Sequence, residues 1–356
     1  MTEYIKLCDV CDFQGGSQPP KDEWSFDLKD GYIRMLQIRD FTQNEKVAPE
    51  YIKITKTTKT CGADDILIAR YGASLGKILT GLAGAYNVAI MRTIPDTNVL
   101  EKKYLYYYLK SPVFQRFLLN VGSRAAQAGF NKYDLQELLI PNITRNEQVK
   151  IVGILERVET VIEARQKELQ KLDDLIKARF VEMFSNNNYL ILKWCEVFNT
   201  TTGRLDSNAS VENGKYPFFT CSKDILKIDS YAFDQKALLL AGNNAAGKYD
   251  VKYYSGKFNA YQRTYVLGLK DNWSYQLFKY QLEDKLTYLQ QQSLGGLTKY
   301  LTMKILEQLD FIVPPIEKQL EFDDFVKQVD KSKLAVQQSL EKTQQLFDSL
   351  MQKYFG

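Results

Sequence analysis

Histidine is absent from the 356-residue sequence. Its absence excludes Ser-His-Asp and Cys-His nucleophilic centres, metal sites built on imidazole, and a histidine general base. Cysteine is also scarce: the five cysteines are an odd number without the spacing of a disulfide framework, which predicts reduced thiols in a cytoplasmic protein. Cys8 and Cys11 form one Cys-x-x-Cys pair. Because neither a second pair nor a histidine accompanies it, we expect no metal on this chain.

Long hydrophobic runs are missing as well. The aliphatic run at residues 237–241 is far shorter than the roughly 20 residues that cross a bilayer, and the N-terminus lacks the apolar stretch of a signal peptide. Apolar residues make up 45% and charged residues 25%, which is usual for a soluble globular chain of two or three domains. The net charge of +4 is too small to indicate nucleic-acid binding by itself.

An internal duplication organises the chain. At a constant separation of 171 residues, the Gly-Lys pair at 76–77 recurs at 247–248, and Gln148 recurs as Gln319. Residues 5–10 match residues 192–197 at a separation of 187, which places about sixteen extra residues in the front of the first copy. We therefore predict two half-molecules of one plan, each a mixed segment followed by a long helix.

A heptad pattern runs through the end of each copy. Between residues 149 and 184, apolar positions step alternately by three and four without a proline, which predicts one helix of 36 residues, roughly 54 Å long. The stepping recurs between residues 322 and 354. Such an apolar seam must be buried against another helix, and the equivalent helix of the other copy is the expected partner. The alternative is that the seam is buried within an ordinary hydrophobic core. The predicted seam positions are Leu155, Val158, Ile162, Leu169, Leu172, Ile176, Val326, Val329, Val336, Leu340, Phe347 and Leu350.

The segments before these helices favour sheet structure. Residues 7–140 and 195–313 are rich in aromatic and β-branched residues and glycine, with a smaller helical patch at 104–120. Proline-bearing extended stretches at 138–141 and 311–315 precede the helices. We predict an α+β chain of two mixed α/β domains and two helices. The expected boundaries are 1–145 for the first domain, 146–185 for its helix, 186–316 for the second domain and 317–356 for the second helix.

One glycine-rich segment resembles a nucleotide-binding loop. Residues 242–248 read Gly-Asn-Asn-Ala-Ala-Gly-Lys, but Tyr249 stands where a P-loop has the Ser or Thr that holds magnesium. The corresponding residues 72–77 are one residue too short. An NTPase is therefore a disfavoured hypothesis. We expect a glycine turn that presents backbone N–H groups and a lysine, Lys77 or Lys248, to the phosphates of a polymer.

Motifs for methyl transfer and DNA cleavage are missing. The sequence has no Asp/Asn-Pro-Pro-Tyr/Phe/Trp tetrapeptide, and Pro95-Asp96 is not followed by the Glu-x-Lys of a nuclease centre. We therefore expect no catalytic residue on this chain and place any chemistry on a partner chain.

A polar, glycine-containing loop precedes the proline-bearing stretch in each copy, at residues 122–133 and 290–300. Arg, Lys, Asn and Gln are the side chains that read base edges, and two equivalent loops on two equivalent domains favour a bipartite reader over plain solvated surface. The candidate DNA contacts in these loops are Arg124, Gln127, Asn131, Lys132, Gln291, Thr298 and Lys299. Further candidates elsewhere are Asn243, Asn244, Arg204 and Arg263.

The junction between sheet and helix carries a family resemblance. Residues 140–152, Ile-Pro-Asn-Ile-Thr-Arg-Asn-Glu-Gln-Val-Lys-Ile-Val, and the helical run at 168–180 resemble the central conserved helix of the specificity subunit of type I restriction-modification systems. Residues 313–319, Val-Pro-Pro-Ile-Glu-Lys-Gln, have the same pattern but lack the Glu before Gln319, and Asn142 stands where a second proline is common. The resemblance covers essentially the whole chain.

This resemblance implies two pseudo-symmetric target recognition domains, separated by two long antiparallel helices that form a coiled coil. Each domain would read one half of a bipartite site in double-stranded DNA. The implied partners are two methyltransferase subunits and restriction/translocase subunits, which would carry S-adenosylmethionine, ATP and magnesium, with no cofactor on this chain. The specificity chain of a type IIB system and a non-DNA coiled-coil scaffold remain alternatives.

Overall fold

A computed structural model describes residues 3–43, 47–122, 129–185, 188–244, 247–296 and 298–356. The chain forms two compact units. The first comprises Met1–Gln166 and Gln338–Gly356, and the second comprises Lys167–Gln337. The division falls inside two long helices, so each unit contains one sheet-rich domain and a part of both helices.

The elements that begin in the first unit run as follows. They are β1 (Tyr4–Lys6), α1 (Leu7–Val10), β2 (Cys11–Gly15), β3 (Tyr32–Leu36), α2 (Ile38–Thr42), β4 (Tyr51–Lys53), β5 (Thr60–Cys61), β6 (Leu67–Ala69), β7 (Ile78–Leu79), β8 (Gly84–Tyr86), β9 (Ile90–Pro95), α3 (Lys102–Lys110), α4 (Pro112–Gly122), β10 (Leu139–Pro141) and α5 (Arg145–Phe184).

The elements that begin in the second unit follow the same plan. They are β11 (Leu190–Lys193), α6 (Trp194–Val197), β12 (Phe198–Thr202), β13 (Tyr216–Phe219), β14 (Leu226–Ile228), β15 (Phe233–Ala241), β16 (Asn243–Asn244), β17 (Val251–Ala260), β18 (Thr264–Leu269), α7 (Tyr275–Asp284), α8 (Leu286–Gln292), β19 (Lys299–Tyr300), α9 (Met303–Leu306), β20 (Asp310–Val313) and α10 (Ile316–Phe355).

Sheet topology is shared by the two units. The first has the strand orders β2-β9-β6-β7 and β4-β3-β8-β5, and the second has β12-β18-β15-β17-β13-β14. The parallel pair β3–β8 corresponds to the parallel pair β13–β17. In the second unit the ten-residue strand β17 pairs with both β15 and β13. In the first unit two separate strands make the equivalent pairings, β7 with β6 and β8 with β3, and Gly81 with φ +95° lies between them.

Each unit joins its first and last strands. β1 pairs antiparallel with β10, and β11 pairs antiparallel with β20. Leu7 N donates to Leu138 O at 2.8 Å, and Trp194 N donates to Leu309 O at 3.1 Å, immediately after these strands. The beginning of each copy is thereby fixed beside the residues that lead into its long helix.

The helical patch expected at 104–120 is two helices, because Ser111 has extended backbone and Pro112 begins α4. Each long helix has 40 residues, and α5 begins four residues before the heptad pattern. Its start is a capping box: Glu147 accepts hydrogen bonds from the backbone and hydroxyl of Thr144 at 2.9 and 2.7 Å. These bonds hold the pKa of Glu147 below its usual value.

Each unit contains a contact between its parts of the two long helices. In the first unit, Leu155 near the start of α5 shares a core with Met351 and Phe355 at the end of α10. In the second unit, Arg179 near the end of α5 forms an ion pair of 2.8 Å with Glu321 near the start of α10. Within each unit, the start of one long helix therefore lies against the end of the other.

The predicted seam positions lie on the less exposed side of the two helices. None of the twelve positions is exposed. Six are buried, namely Leu155, Ile162, Ile176, Val326, Val329 and Val336, and six are half-buried, namely Val158, Leu169, Leu172, Leu340, Phe347 and Leu350. Apolar residues off the seam, such as Leu175 and Leu346, are 46% and 51% exposed.

Candidate nucleic-acid interface

The glycine turn predicted from the duplication recurs in both units. Gly76 has φ +79° and Gly247 has φ +64°, the left-handed region that favours glycine. Each glycine directly precedes an exposed lysine, Lys77 or Lys248. Two independent turns therefore place a lysine side chain in solvent at the same position of the repeat.

The backbone N–H groups of these turns were expected to face a ligand, but three of them are bonded within the turns or to the adjacent strand. Gly76 N donates to Ala69 O at 2.9 Å, and Lys77 N donates to Ser74 O at 3.0 Å. Gly247 N donates to the carbonyl of Asn244 at 3.2 Å. These three donors are therefore not available to a ligand, whereas the lysine side chains are exposed.

Each turn pairs with the polar loop that the sequence singled out later in the same copy. In the first unit Tyr71 forms an antiparallel bridge with Gly129. In the second unit β16 pairs with β19, which aligns Asn243 with Tyr300 and Asn244 with Lys299. The structure thereby brings together candidates that lie more than fifty residues apart in sequence. The name loop pair is used below for residues 71–77 with 129–132, and for residues 242–244 and 247–248 with 294–296 and 298–300.

Close backbone approaches fix the strands beside each loop pair. Gly16 N donates to Ile90 O at 3.0 Å, and Gly203 N donates to Thr264 O at 3.4 Å. A Cβ atom on Gly16 would lie 2.1 Å from a backbone carbonyl oxygen, and one on Gly203 would lie 1.8 Å from another. Only glycine allows this approach, in both units.

These close approaches place two arginines that were predicted to contact DNA beside the loop pair of the second unit. Arg204 follows Gly203, and the carbonyl of Arg263 accepts a hydrogen bond from Gly242 N at 2.8 Å. Both arginines are exposed. The corresponding bond in the first unit runs from Arg70 N to Ala89 O, also at 2.8 Å. The backbone is thus repeated, whereas the side chains that it carries differ.

Asn131 and Lys132 have defined roles within the first unit. Asn131 Oδ1 accepts from Tyr133 N at 2.8 Å and closes a short turn. Lys132 forms an ion pair with Asp12, a partner 120 residues away. This hydrogen bond holds the pKa of Asp12 below its usual value and raises the pKa of Lys132. The ammonium of Lys132 has three donors, so the bond to Asp12 leaves others for a further acceptor.

The remaining candidates divide by position. Gln291 on α8 and Thr298 are exposed, and Lys299 is half-buried. Asn243 and Asn244 are half-buried on β16. Arg124 and Gln127 lie outside the described residues.

Sequence reasoning missed Gly16 and Gly203 as part of the site. Their separation is 187 residues, the same separation that relates the starts of the two copies, so the signal was present in the sequence. It was obscured because the separation changes to 171 further along the chain.

One cleft of the first unit lies away from the loop pair. It has a volume of about 770 Å³ and lies between α3 and α5. Its carboxylates are engaged: Tyr107 donates to Glu159 at 2.7 Å, and Lys103 pairs with Glu156. Burial and the neighbouring Glu159 raise the pKa of Tyr107. Among the residues that the structure describes, no group of three His, Cys, Asp or Glu side chains is placed to hold a metal ion, and no helix is long and apolar enough to span a membrane.

Comparison with solved structures places this fold among known ones. The S subunit of a type I restriction-modification system from M. genitalium superposes with a TM-score of 0.58 at 17% identity, covering 99% of this chain and 96% of that one. A chain from a structure on complex assembly and conformational transition of the type I R-M system has a TM-score of 0.59 at 16% identity, covering 99% and 97%. At these identities the likeness shows a shared fold.

Sequence comparison adds relatives and a family. The type I restriction enzyme EcoDI specificity subunit of Escherichia coli is 37% identical over 150 residues, 40% of this chain and 32% of that protein. The MjaVIII specificity subunit of Methanocaldococcus jannaschii is 22% identical over 197 residues, 52% of this chain and 46% of that protein. The alignments thus span less than half the length of these relatives. The family described as type I restriction modification DNA specificity domain matches residues 2–174 and 191–345. Since this match extends through both copies of the repeat, the chain belongs to that family.

Proposed function

We propose that this chain is the DNA sequence-recognition subunit of a type I restriction-modification complex, in which each unit reads one half of a bipartite duplex site. The observation that carries the proposal is the repeated loop pair. Its backbone hydrogen bonds recur in both units, while the exposed side chains differ, as two readers of different half-sites require.

Charge at the loop pairs supports contact with DNA. Lys77 in the first unit and Lys248, Arg204 and Arg263 in the second are exposed. Lysine and arginine neutralise phosphates and release counterions, which supplies sequence-independent affinity. Asn243, Gln291 and Thr298 carry donors and acceptors suited to base edges. The chain's modest net charge of +4 is compatible with this role because partner subunits can share phosphate neutralisation.

The partners follow from this role. Two methyltransferase subunits would bind S-adenosylmethionine and modify adenines, and restriction/translocase subunits would bind ATP and magnesium, in the cytoplasm where the chromosome lies. This chain would supply no catalytic group. The paired helices α5 and α10 support a spacer function, since helices of 40 residues are roughly 60 Å long when straight.

Mapping of methylated adenines tests the proposal. The chain is expressed together with its methyltransferase subunits in a host without adenine methylation, and the genome is sequenced by a method that detects N6-methyladenine. We expect methylation at one split motif with a spacer of fixed length, and none when the methyltransferase subunits are expressed alone. Methylation at a continuous motif, or no motif that depends on this chain, would contradict the proposal.

A further inference from the structure

We infer that Tyr71 and Tyr300 are specificity-determining residues that present an aromatic ring to a base edge, one in each half of the site. The inference rests on the proposed function and adds residues that the sequence pattern did not identify. It stands on the position, support and exposure of the two rings within the loop pairs.

The ring of Tyr71 is held from two directions. A Cβ atom on Gly129 would lie 2.4 Å from Cδ1 of Tyr71, so the ring occupies the space that only a glycine leaves open. The guanidinium carbon of Arg70 lies 5.1 Å from the ring centroid. Arg70 is itself fixed, since its Nε donates to Phe130 O at 3.1 Å. Tyr71 as a whole nevertheless remains 38% exposed.

Tyr300 has the same kind of support in the second unit. Its N–H donates to Leu294 O at 2.9 Å, and its carbonyl accepts from Leu294 N at 3.1 Å. Its other neighbour across the loop pair is Asn243. A Cβ atom on Gly295 would lie 3.1 Å from Cδ1 of Tyr300, so this ring also lies against a glycine. Its exposure is 39%, almost equal to that of Tyr71.

The two tyrosines are not copies of one ancestral residue. In the bridges across the two loop pairs, Tyr71 takes the position of Asn243, and Gly129 takes the position of Tyr300. The ring comes from the strand of the glycine turn in one unit and from the opposite strand in the other. Duplication alone does not produce this exchange. Both loop pairs carry a tyrosine ring that lies against a glycine, although the ring comes from different strands. This recurrence indicates that each loop pair requires such a ring.

The chemistry of the ring suits the groove of DNA. A supported tyrosine offers apolar area with few rotamers to immobilise, and apolar side chains contact base edges such as the thymine methyl group. The lysines and arginines of the same loop pairs contact phosphate, which carries no sequence information. The rings therefore supply discrimination that the charged side chains do not.

The test uses the complete complex with methyltransferase subunits and the site found by methylation mapping. The variants are Tyr71→Ala, Tyr71→Phe, Tyr300→Ala and Tyr300→Phe. Tyr231→Ala is the control, because Tyr231 is 45% exposed in the second unit but lies outside the loop pair, against Tyr216. Affinity is measured on the intact duplex and on two duplexes, each with one half-site scrambled.

We expect each Ala variant to bind the intact site at least about fivefold more weakly than wild type, and each Phe variant to remain within about twofold, because the ring is retained. On the duplex in which one half-site is scrambled, we expect Tyr71→Ala to bind as tightly as wild type. On the duplex in which the other half-site is scrambled, we expect Tyr300→Ala to bind as tightly as wild type. Ala variants within about twofold of wild type, equal losses on both scrambled duplexes, or Phe variants as weak as Ala would each overturn the inference. A wild-type complex without a split motif would instead contradict the proposed function.

Discussion

Gln148 Oε1 accepts a hydrogen bond of 2.7 Å from the backbone N–H of Glu101, the residue that caps the N-terminus of α3. The duplicated residue makes the same contact: Gln319 Oε1 accepts at 2.9 Å from the N–H of Ser274, which caps α7. Both glutamines are almost fully buried, with exposures of 3% and 1%. A single side chain in each unit thus joins the first turn of a long helix to a helix of the recognition domain.

Replacing Gln148 tests this joint. In addition to the bond from Glu101, its Nε2 donates at 3.0 Å to the carbonyls of Val99 and Ile143. The variant Gln148→Met keeps the length of the side chain but removes all three hydrogen bonds, so we expect a loss of roughly 1 to 3 kcal/mol in the free energy of denaturant unfolding. Gln166→Met, at an exposed position of the same helix, should change stability by less than about 0.5 kcal/mol. Equal effects of the two substitutions would contradict this role.

Substitution of glycine by alanine should lower the stability at some positions and raise it at another. Gly76→Ala and Gly247→Ala place a side chain in the left-handed region, which costs roughly 1 to 2 kcal/mol. Gly153→Ala should stabilise by roughly 0.5 to 1 kcal/mol, because Gly153 lies within α5 and nothing is within 4 Å of its new Cβ atom. Thermal unfolding of the three variants checks the signs, and a stabilising Gly76→Ala would refute the described turn.

Acid should weaken the first unit through Glu50. Its carboxylate accepts hydrogen bonds from Lys21 at 2.5 Å, from Gln37 at 2.7 Å, and from Arg39. Burial alone would raise the pKa of Glu50, but the bonds from Lys21 and Gln37 outweigh it and hold the pKa below its usual value. A lowered carboxyl pKa contributes stability above the unfolded-state pKa and loses it as the pH falls through the folded-state pKa.

The variant Glu50→Gln should therefore lose about 2 kcal/mol at pH 7, since the negative charge is removed and one of the two acceptor oxygens becomes an N–H donor that faces other donors. The gap to wild type should narrow as the pH falls below about 4.5, the ordinary pKa of the carboxyl. Unfolding at several pH values measures it, with the exposed Glu23→Gln as control. A gap independent of pH would show that the charge of Glu50 is not the cause.

Salt dependence should identify the phosphate contacts. Removing a lysine that binds a phosphate lowers the slope of log K against log salt by about 0.9. We expect this change for Lys77→Gln and Lys248→Gln in the complex with methyltransferase subunits. Lys227→Gln should leave the slope unchanged, because Lys227 is exposed on β14, away from the loop pairs. Unchanged slopes for both loop-pair variants would remove these lysines from the interface.

Local patterns predicted much of this fold. The alternating spacing of three and four residues indicated both long helices, because the residues that form a helical seam are close together in sequence. The Thr144-to-Glu147 capping box could also have placed the start of α5, since its four residues are adjacent. The glycine turns at Gly76 and Gly247 followed from their recurrence.

Long-range pairing was beyond sequence reasoning. The ion pair between Asp12 and Lys132 joins residues that are 120 positions apart in sequence. It depends on tertiary structure, and no local sequence pattern predicts it. The parallel pairing of β13 with β17 and the position of Tyr71 against Gly129 are likewise products of tertiary packing. The candidate lysines were identifiable from sequence, whereas the neighbours that surround them were not.

Exchange of one recognition segment tests the central claim most directly. Residues 195–313 are replaced by the corresponding segment of another type I specificity subunit, and methylated adenines are mapped in cells that also express the methyltransferase subunits. The account predicts a new sequence in one half of the motif, with the other half and the spacer length unchanged. A motif that changes in both halves, or in neither, would contradict it.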